Sequence, residues 1–122
     1  MSVSADVVVI GGGVVGSSTA FHLLEDGFKG RVLVIERDPS YQFASSALAM
    51  GGVRQQFMSD VNIRMAQYSL GIFQQMPECR FRQRGYLFLA SESNWAKLQR
   101  RHEIQKSLGA ECEMLSVDDV RR

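Results

Sequence analysis

Residues 7–36 read VVVIGGGVVGSSTAFHLLEDGFKGRVLVIE, and their order decides the fold. An apolar run over 5–10 suits a buried strand, and Gly11, Gly13 and Gly16 follow it in G-x-G-x-x-G spacing. A helical stretch comes next, and a second apolar run over 31–35 ends in Glu36, twenty residues after Gly16. The glycine spacing alone is common. With a strand before it, a helix after it and an acid at that distance, it predicts a dinucleotide-binding β-α-β unit. The fold class expected is therefore α/β, with a Rossmann-like β-α-β core and a parallel sheet.

Each residue type in the unit meets a physical demand. Gly11 lets the chain turn sharply out of the strand, Gly13 lets the backbone approach a pyrophosphate with no Cβ in the way, and Gly16 lets the helix lie close to the sheet. Free amides and the positive end of the helix dipole then stabilise the anion, so the loop needs no lysine or arginine, and it has none. Ala20, Leu23 and Leu24 share the helical face that packs on the sheet, Gly27 stops the helix, and Val32 and Val34 suit a buried parallel strand. Glu36, at that strand's carboxyl end, is placed to accept hydrogen bonds from both ribose hydroxyls and to repel a 2′-phosphate, which disfavours NADP. The plainer alternative, a tight turn followed by a solvated carboxylate, leaves the combined pattern without a reason. His22, inside the helix with no metal-type residue beside it, reads as a packing residue.

Fourteen basic residues against thirteen acidic ones give a formal net charge of +1 with no block of one sign, which points away from nucleic acid and anionic membranes. With 122 residues, 45% of them hydrophobic, the chain has the composition of a globular domain that buries about two-thirds of its unfolded surface. Cys79 and Cys112 are too few for a disulfide framework or a metal site, and read as free buried thiols in a reducing compartment. The first apolar run has no basic residue before it and is broken by three glycines, so it is neither a signal peptide nor a membrane span on this reading, and a cytoplasmic location is expected.

Beyond Glu36 the periodicity stops. Residues 37–49 hold Pro39 and the pair Ser45-Ser46, and Gly51-Gly52 and then VRQQF over 53–57 follow. Small residues and glycines permit close approach to a ligand, and hydroxyls and free amides bind phosphate, ribityl or ring-edge polar atoms. Composition alone fits a surface loop of turn formers equally well.

Taken together, VVVIGGGVVGSSTAFHLLEDG, VLVIERD and ASSALAMGGVRQQF resemble the start of the FAD-dependent oxidoreductases of the D-amino-acid oxidase family. The most similar branch is that of glycine oxidase, sarcosine oxidase and sarcosine dehydrogenase, with related amine and proline dehydrogenases. RQRGYLFL over 82–89 and the helical stretches around it follow the same pattern, so the resemblance spans essentially the whole chain. Its first third is shared by many flavin and NAD proteins; the Ser-Ser and Gly-Gly-Val-Arg part narrows it. The resemblance implies that Gly11, Gly13, Val14, Val15 and Gly16 cradle the FAD pyrophosphate, that Glu36 holds the adenosine ribose, and that Arg37 lies beside the adenine end. It also implies that Ser45, Ser46, Met50, Gly51 and Gly52 line the central phosphates and the flavin side. Arg54 is implied as a catalytic, flavin-proximal cation that would favour anionic reduced flavin; the alternative is an arginine in a surface salt bridge. Some dehydrogenases of the family attach FAD through a histidine in the loop near 46–52, and this loop has none, so non-covalent FAD and no metal are expected.

Downstream, Ser59 or Asp60 caps a helix running to 76, with Ala66, Leu70 and Phe73 on one stripe, Pro77 ending it, and Met58, Met65 and Met76 filling core gaps. Residues 86–90 read as a strand. Ser91 or Ser93 starts a helix through 108 closed by Gly109, with Trp95, Leu98 and Ile104 on its buried face. Lys97, Arg100, Arg101 and Lys106 resemble a basic face, but Glu103 and Glu111 interrupt it, which fits a solvated helix surface better than a binding patch. Residues 111–115 read as a strand, and Ser116 with Asp119 as a capping box. In domain terms, 1–58 and flanking segments form the N-terminal part of an FAD-binding domain, and 59–122 a connecting helix and the beginning of a second, α+β substrate domain. Only three residues follow Asp119, so the chain is expected to be truncated, with further domain-sized segments in the whole protein.

The function expected from the resemblance is oxidation of a C–N bond in an amino acid or secondary amine such as glycine, sarcosine, a D-amino acid or proline, by hydride transfer to flavin. Oxygen or an electron carrier accepts the electrons, and these 122 residues alone are inactive. Two other classes stay open: an NAD-dependent dehydrogenase module, alike through Glu36 but without flavin colour, and a catalytically silent fragment or subunit whose open sheet edge another chain covers. Homo- and hetero-oligomers both fit.

Overall fold

In the computed structural model, which describes residues 4–121, the glycine motif sits in the β-α-β unit its spacing predicts. Strand β1 (Val7–Ile10) pairs in parallel with β2 (Val32–Ile35), in a register running from Val7 opposite Val32 to Ile10 opposite Ile35. Helix α1 (Val14–Glu25) connects them and contacts both strands. At its open end the regular ladder gives way to a shared main-chain acceptor and one side-chain bond. The Asp6 and Val7 amides both donate to the Arg31 carbonyl (3.0 and 3.2 Å), and the Arg31 amide donates to the Asp6 carboxylate (2.7 Å). At the other end the Gly11 amide donates to the Ile35 carbonyl at 2.8 Å, carrying the pairing into the turn.

Helix α1 stops as its sequence requires. Gly27 takes φ 90°, its amide donates to Leu24, and the Phe28 amide donates to Leu23, which together form a Schellman closure. The buried face is narrower than expected: Ala20 and Leu23 are half-buried, but Leu24 is 53% exposed. A sheet two strands wide leaves part of the helix uncovered, and for the same reason Val34 and Ile35 stay exposed on β2. A further short helix, α2 (Ser45–Leu48), stands in the stretch that showed no periodicity.

The described chain divides into two compact units between Gly52 and Val53. In the second, Ser59 caps α3 (Asp60–Gln75) by accepting from the Asn62 amide, and Asp60 pairs with Arg64 one turn on at 2.6 Å. The expected stripe of Ala66, Leu70 and Phe73 is half-buried and extends one turn earlier to Ile63, which is fully buried. Pro77 ends α3 and opens a 3-10 turn, Pro77–Cys79. Another 3-10 turn, Glu92–Asn94, leads into α4 (Trp95–Ser107), so the helix begins later than Ser91 or Ser93. Gly109 closes α4 with a second Schellman pattern, its amide donating to Lys106 and that of Ala110 to Gln105. Helix α5 (Val117–Arg121) carries the capping box: Ser116 Oγ accepts from the Asp119 amide, and the Asp119 carboxylate accepts from the Ser116 amide.

Residues 86–90 and 111–115 are not strands, so among the described residues this unit is helical rather than α+β. Apolar composition is a local property, whereas a ladder needs a neighbouring backbone, and among the described residues no strand pairs with either segment. Two glutamine amides tie the unit together instead. Buried Gln105 donates to the Phe57 carbonyl and Gln67 to that of Leu108, both at 2.9 Å. Trp95, Met58, Met65 and Met76 are exposed rather than core residues, as is Cys79, while Leu98, Ile104 and Cys112 are half-buried. The Lys97, Arg100, Arg101 and Lys106 face is solvated as expected. Among the described residues no helix is long and apolar enough to cross a membrane.

Candidate functional site

The carboxyl ends of β1 and β2 and the start of α1 open onto a cleft of about 790 Å³, within the size range of small-molecule and cofactor sites. The Gly11 turn, with φ 98°, leads into it. Gly13 caps α1 with extended backbone and no side-chain hydrogen bond, so the first amides of the helix have only the cleft to serve. Space around the glycines differs by position. A Cβ on Gly16 would lie 1.9 Å from the Gly11 carbonyl oxygen and 3.1 Å from Val9 Cγ1, so helix and turn touch there backbone to backbone. A Cβ on Gly13 would meet nothing within 4 Å. Gly16 is thus absent of side chain for packing, and Gly13 faces open cleft.

Glu36 faces the same turn, and its carboxylate is fixed by main chain on both oxygens. Oε2 accepts from the Gly12 amide at 2.6 Å and Oε1 from the Asp38 amide at 2.8 Å. Those amides, Asp38 first and Gly12 next, hold its pKa below the ordinary 4.5. Four lone-pair positions on a carboxylate less two main-chain bonds leave capacity for further donors. Gly12 is held in turn from its other side, where the Ser17 hydroxyl donates to its carbonyl at 2.6 Å. The loop beyond Glu36 is built by the same device: Asp38 Oδ1 accepts from the Ser40 amide and hydroxyl (3.0 and 2.6 Å), and Ser40 Oγ from the Gln42 amide (3.4 Å).

Of the residues expected at the site, Gly11, Gly13, Val14, Val15, Gly16, Glu36, Arg37, Ser45 and Ser46 all line this one cleft. Met50, Gly51 and Gly52 do not line it, and Met50 is 99% exposed. Arg54 belongs to the second unit, where its guanidinium lies over the rings of Phe57 (4.8 Å to the centroid) and Phe88 (5.5 Å). Among the described residues it makes no ion pair, so the salt-bridge alternative gives way to aromatic contact. Sequence reasoning missed Gly12, which is buried and pins Glu36, and Asp38 and Tyr41 on the cleft wall. The run of three consecutive glycines signalled Gly12; nothing local signalled Tyr41. No group of three or more potential metal ligands is present among the described residues.

Residues 6–122 match the family model DAO, FAD dependent oxidoreductase. The chain is 36% identical to FAD-dependent oxidoreductase domain-containing protein 1 of Xenopus laevis, over 97% of this chain and 26% of that protein. It is 35% identical to the protein of the same name from Bos taurus, over 97% of the chain and 27% of that protein. An FAD-dependent monooxygenase of Aspergillus terreus is 38% identical over 63% of the chain and 17% of its own length. The chain thus spans about a quarter of the length of the first two relatives. No solved structure matches it.

Proposed function

The chain belongs to the DAO family of FAD-dependent oxidoreductases, whose cofactor is FAD, and from that premise we propose that the cleft over 9–46 takes the ADP half of FAD. The observation that carries this reading is the pairing of an uncapped helix start with a carboxylate pinned opposite it by the Gly12 amide at 2.6 Å. A pyrophosphate suits the first, being an anion met by free amides and a helix dipole. A ribose suits the second, since Glu36 stays ionised and keeps lone pairs to receive hydroxyls. The open space at Gly13 is where a phosphate can approach. The cofactor is held non-covalently on this reading, with Arg37 toward the adenine and Ser45 and Ser46 toward the central phosphates. Met50, Gly51 and Gly52 serve the flavin side, and residues 59–122 begin a substrate-side region.

When bound, the flavin supplies a two-electron acceptor for a substrate hydride. This chain's residues would bind and orient it: main-chain amides would stabilise the phosphates by hydrogen bonds and Glu36 would fix the ribose. Arg54 adds a positive charge that pairs with no carboxylate among the described residues and is held by two aromatic faces. The substrate class proposed is an amino acid or secondary amine oxidised at the carbon beside nitrogen, with oxygen or an electron carrier as acceptor. The resemblance of ASSALAMGGVRQQF to the amine-oxidising branch supports it.

Titration of the chain with FAD, ADP and NAD, followed by calorimetry and flavin fluorescence, tests the site. Saturable binding of FAD and ADP, with intact FAD released on denaturation, is expected; binding of neither removes the assignment. For the reaction, anaerobic glycine, sarcosine, D-alanine or proline added to the flavin-loaded whole protein should bleach the flavin, and failure with every one of them removes the amine reading.

A further inference from the structure

Two non-glycine residues among those described take a left-handed backbone, Tyr41 (φ 56°) and Arg80 (φ 47°). Arg80 has a local reason, because it closes the 3-10 turn by donating its amide to Pro77. Tyr41 ends no helix. It joins two consecutive turns, donating its amide to the Asp38 carbonyl at 3.1 Å and accepting from the Ala44 amide at 2.9 Å. A bulky residue rarely takes this conformation, and such outliers gather at binding sites where the surroundings impose them. Here the effect is to turn the phenol back over the glycine turn. Its hydroxyl lies 2.7 Å from where a Cβ on Gly12 would stand, a position 3.2 Å from Glu36 Cβ. A Cβ at 12 would push this hydroxyl, the far end of the side chain, out of its place. The hydroxyl makes no hydrogen bond to a described residue, and the side chain lines the cleft.

Resting on the ADP reading above, we propose that the Tyr41 hydroxyl is a second ribose-reading group that works beside Glu36. A carboxylate can only accept, so ribose hydroxyls that donate to Glu36 keep oxygen lone pairs in need of a donor. The Tyr41 hydroxyl stands at the Gly12 turn that holds Glu36, and it makes no hydrogen bond to a described residue. The test compares ADP with 2′,3′-dideoxy-ADP on the native chain and on Tyr41→Phe, by calorimetry. The variant keeps the ring and the backbone demand, and an unchanged melting curve verifies its fold. Loss of one neutral hydrogen bond weakens ADP binding about two- to tenfold. The same variant should bind the dideoxy nucleotide as the native chain does, because the partner oxygens are gone. Equal ADP affinity in variant and native chain overturns the proposal, as does an equal loss for both nucleotides. A native chain that binds no ADP at all overturns the site reading itself, and the proposal with it.

Discussion

Replacing Gly13 and Gly16 by alanine, one at a time, should separate binding from folding within one motif. The structure sets opposite costs. A methyl on Gly16 would stand 1.9 Å from the Gly11 carbonyl oxygen, where ordinary contact begins near 3.4 Å. Neither atom is the end of a flexible side chain, so α1 or the turn must move by more than an ångström. Overpacking of this kind costs about 1–3 kcal/mol, and a backbone obstruction belongs at the top of that range or beyond. Gly13, at φ −63° and ψ −177°, has a backbone that alanine adopts without strain, and its methyl meets nothing within 4 Å. Gly13→Ala should therefore leave stability unchanged or raise it by about 0.4–1 kcal/mol through the unfolded chain. The same methyl projects into the space assigned to phosphate. Losing one charge-assisted main-chain bond there, worth about 1.5–3 kcal/mol, weakens FAD and ADP binding roughly ten- to a hundredfold. Urea unfolding followed by circular dichroism reads the first quantity and calorimetry the second. A Gly13→Ala chain that binds ADP at native strength refutes the phosphate placement. A Gly16→Ala chain as stable as the native one refutes the steric argument.

Glu36 has a depressed folded pKa, so its contribution to stability is present above the ordinary value of 4.5 and is lost as pH falls through the lower, folded one; the urea midpoint should drop below pH 4.5, and less so in Glu36→Gln, with equal slopes counting against the main-chain clamp. Gln105→Ala strands the Phe57 carbonyl that the buried amide serves, and should cost about 1–3 kcal/mol in the urea midpoint, an unchanged midpoint showing the bond to be dispensable. Cys79 is exposed, whereas burial raises the Cys112 thiol against a partial offset from Lys106, so a thiol reagent should label one cysteine fast and the other slowly at neutral pH. Cys79→Ser should remove the fast phase, and loss of the slow phase instead would reverse the assignment.

The β-α-β unit was legible because each of its signals is a constraint on backbone. Gly11 needs positive φ, Gly16 needs an absent Cβ, and Gly27 needs a left-handed closure, and the structure has all three. Caps were legible for the same reason: Ser59 with Asn62 and Ser116 with Asp119 are bonds between residues three apart. Helix α2, four residues long, is too short for a 3.6-residue period to show. Residues 86–90 and 111–115 have strand-like apolar content, but composition only permits a strand, and the pairing that makes one comes from elsewhere in the fold. Met58, Met65 and Met76 were placed in the core by residue type, which records hydrophobicity and not the area of neighbouring surface available to cover it.

The site divides along the same line. Phosphate recognition rests on main chain, and main-chain geometry is written in glycines, so Gly11, Gly13 and Gly16 could be read at once. Glu36 was readable as an acid at a strand end, but not the clamp that orients it, because the Gly12 and Asp38 amides reach it through the path of a loop. Tyr41 lies furthest from sequence logic, since a tyrosine at positive φ contradicts local preference and is sustained by the turns on either side. Amides answer to charge and shape, which many nucleotides share, and the cleft's discrimination must come from the side chains those amides position. Glu36 and Tyr41 stand together over Gly12, so a side chain at residue 12 would displace the Tyr41 hydroxyl while leaving the amide that holds Glu36. The middle glycine of the run, free in the G-x-G-x-x-G pattern, thereby lets both groups stand close over the turn.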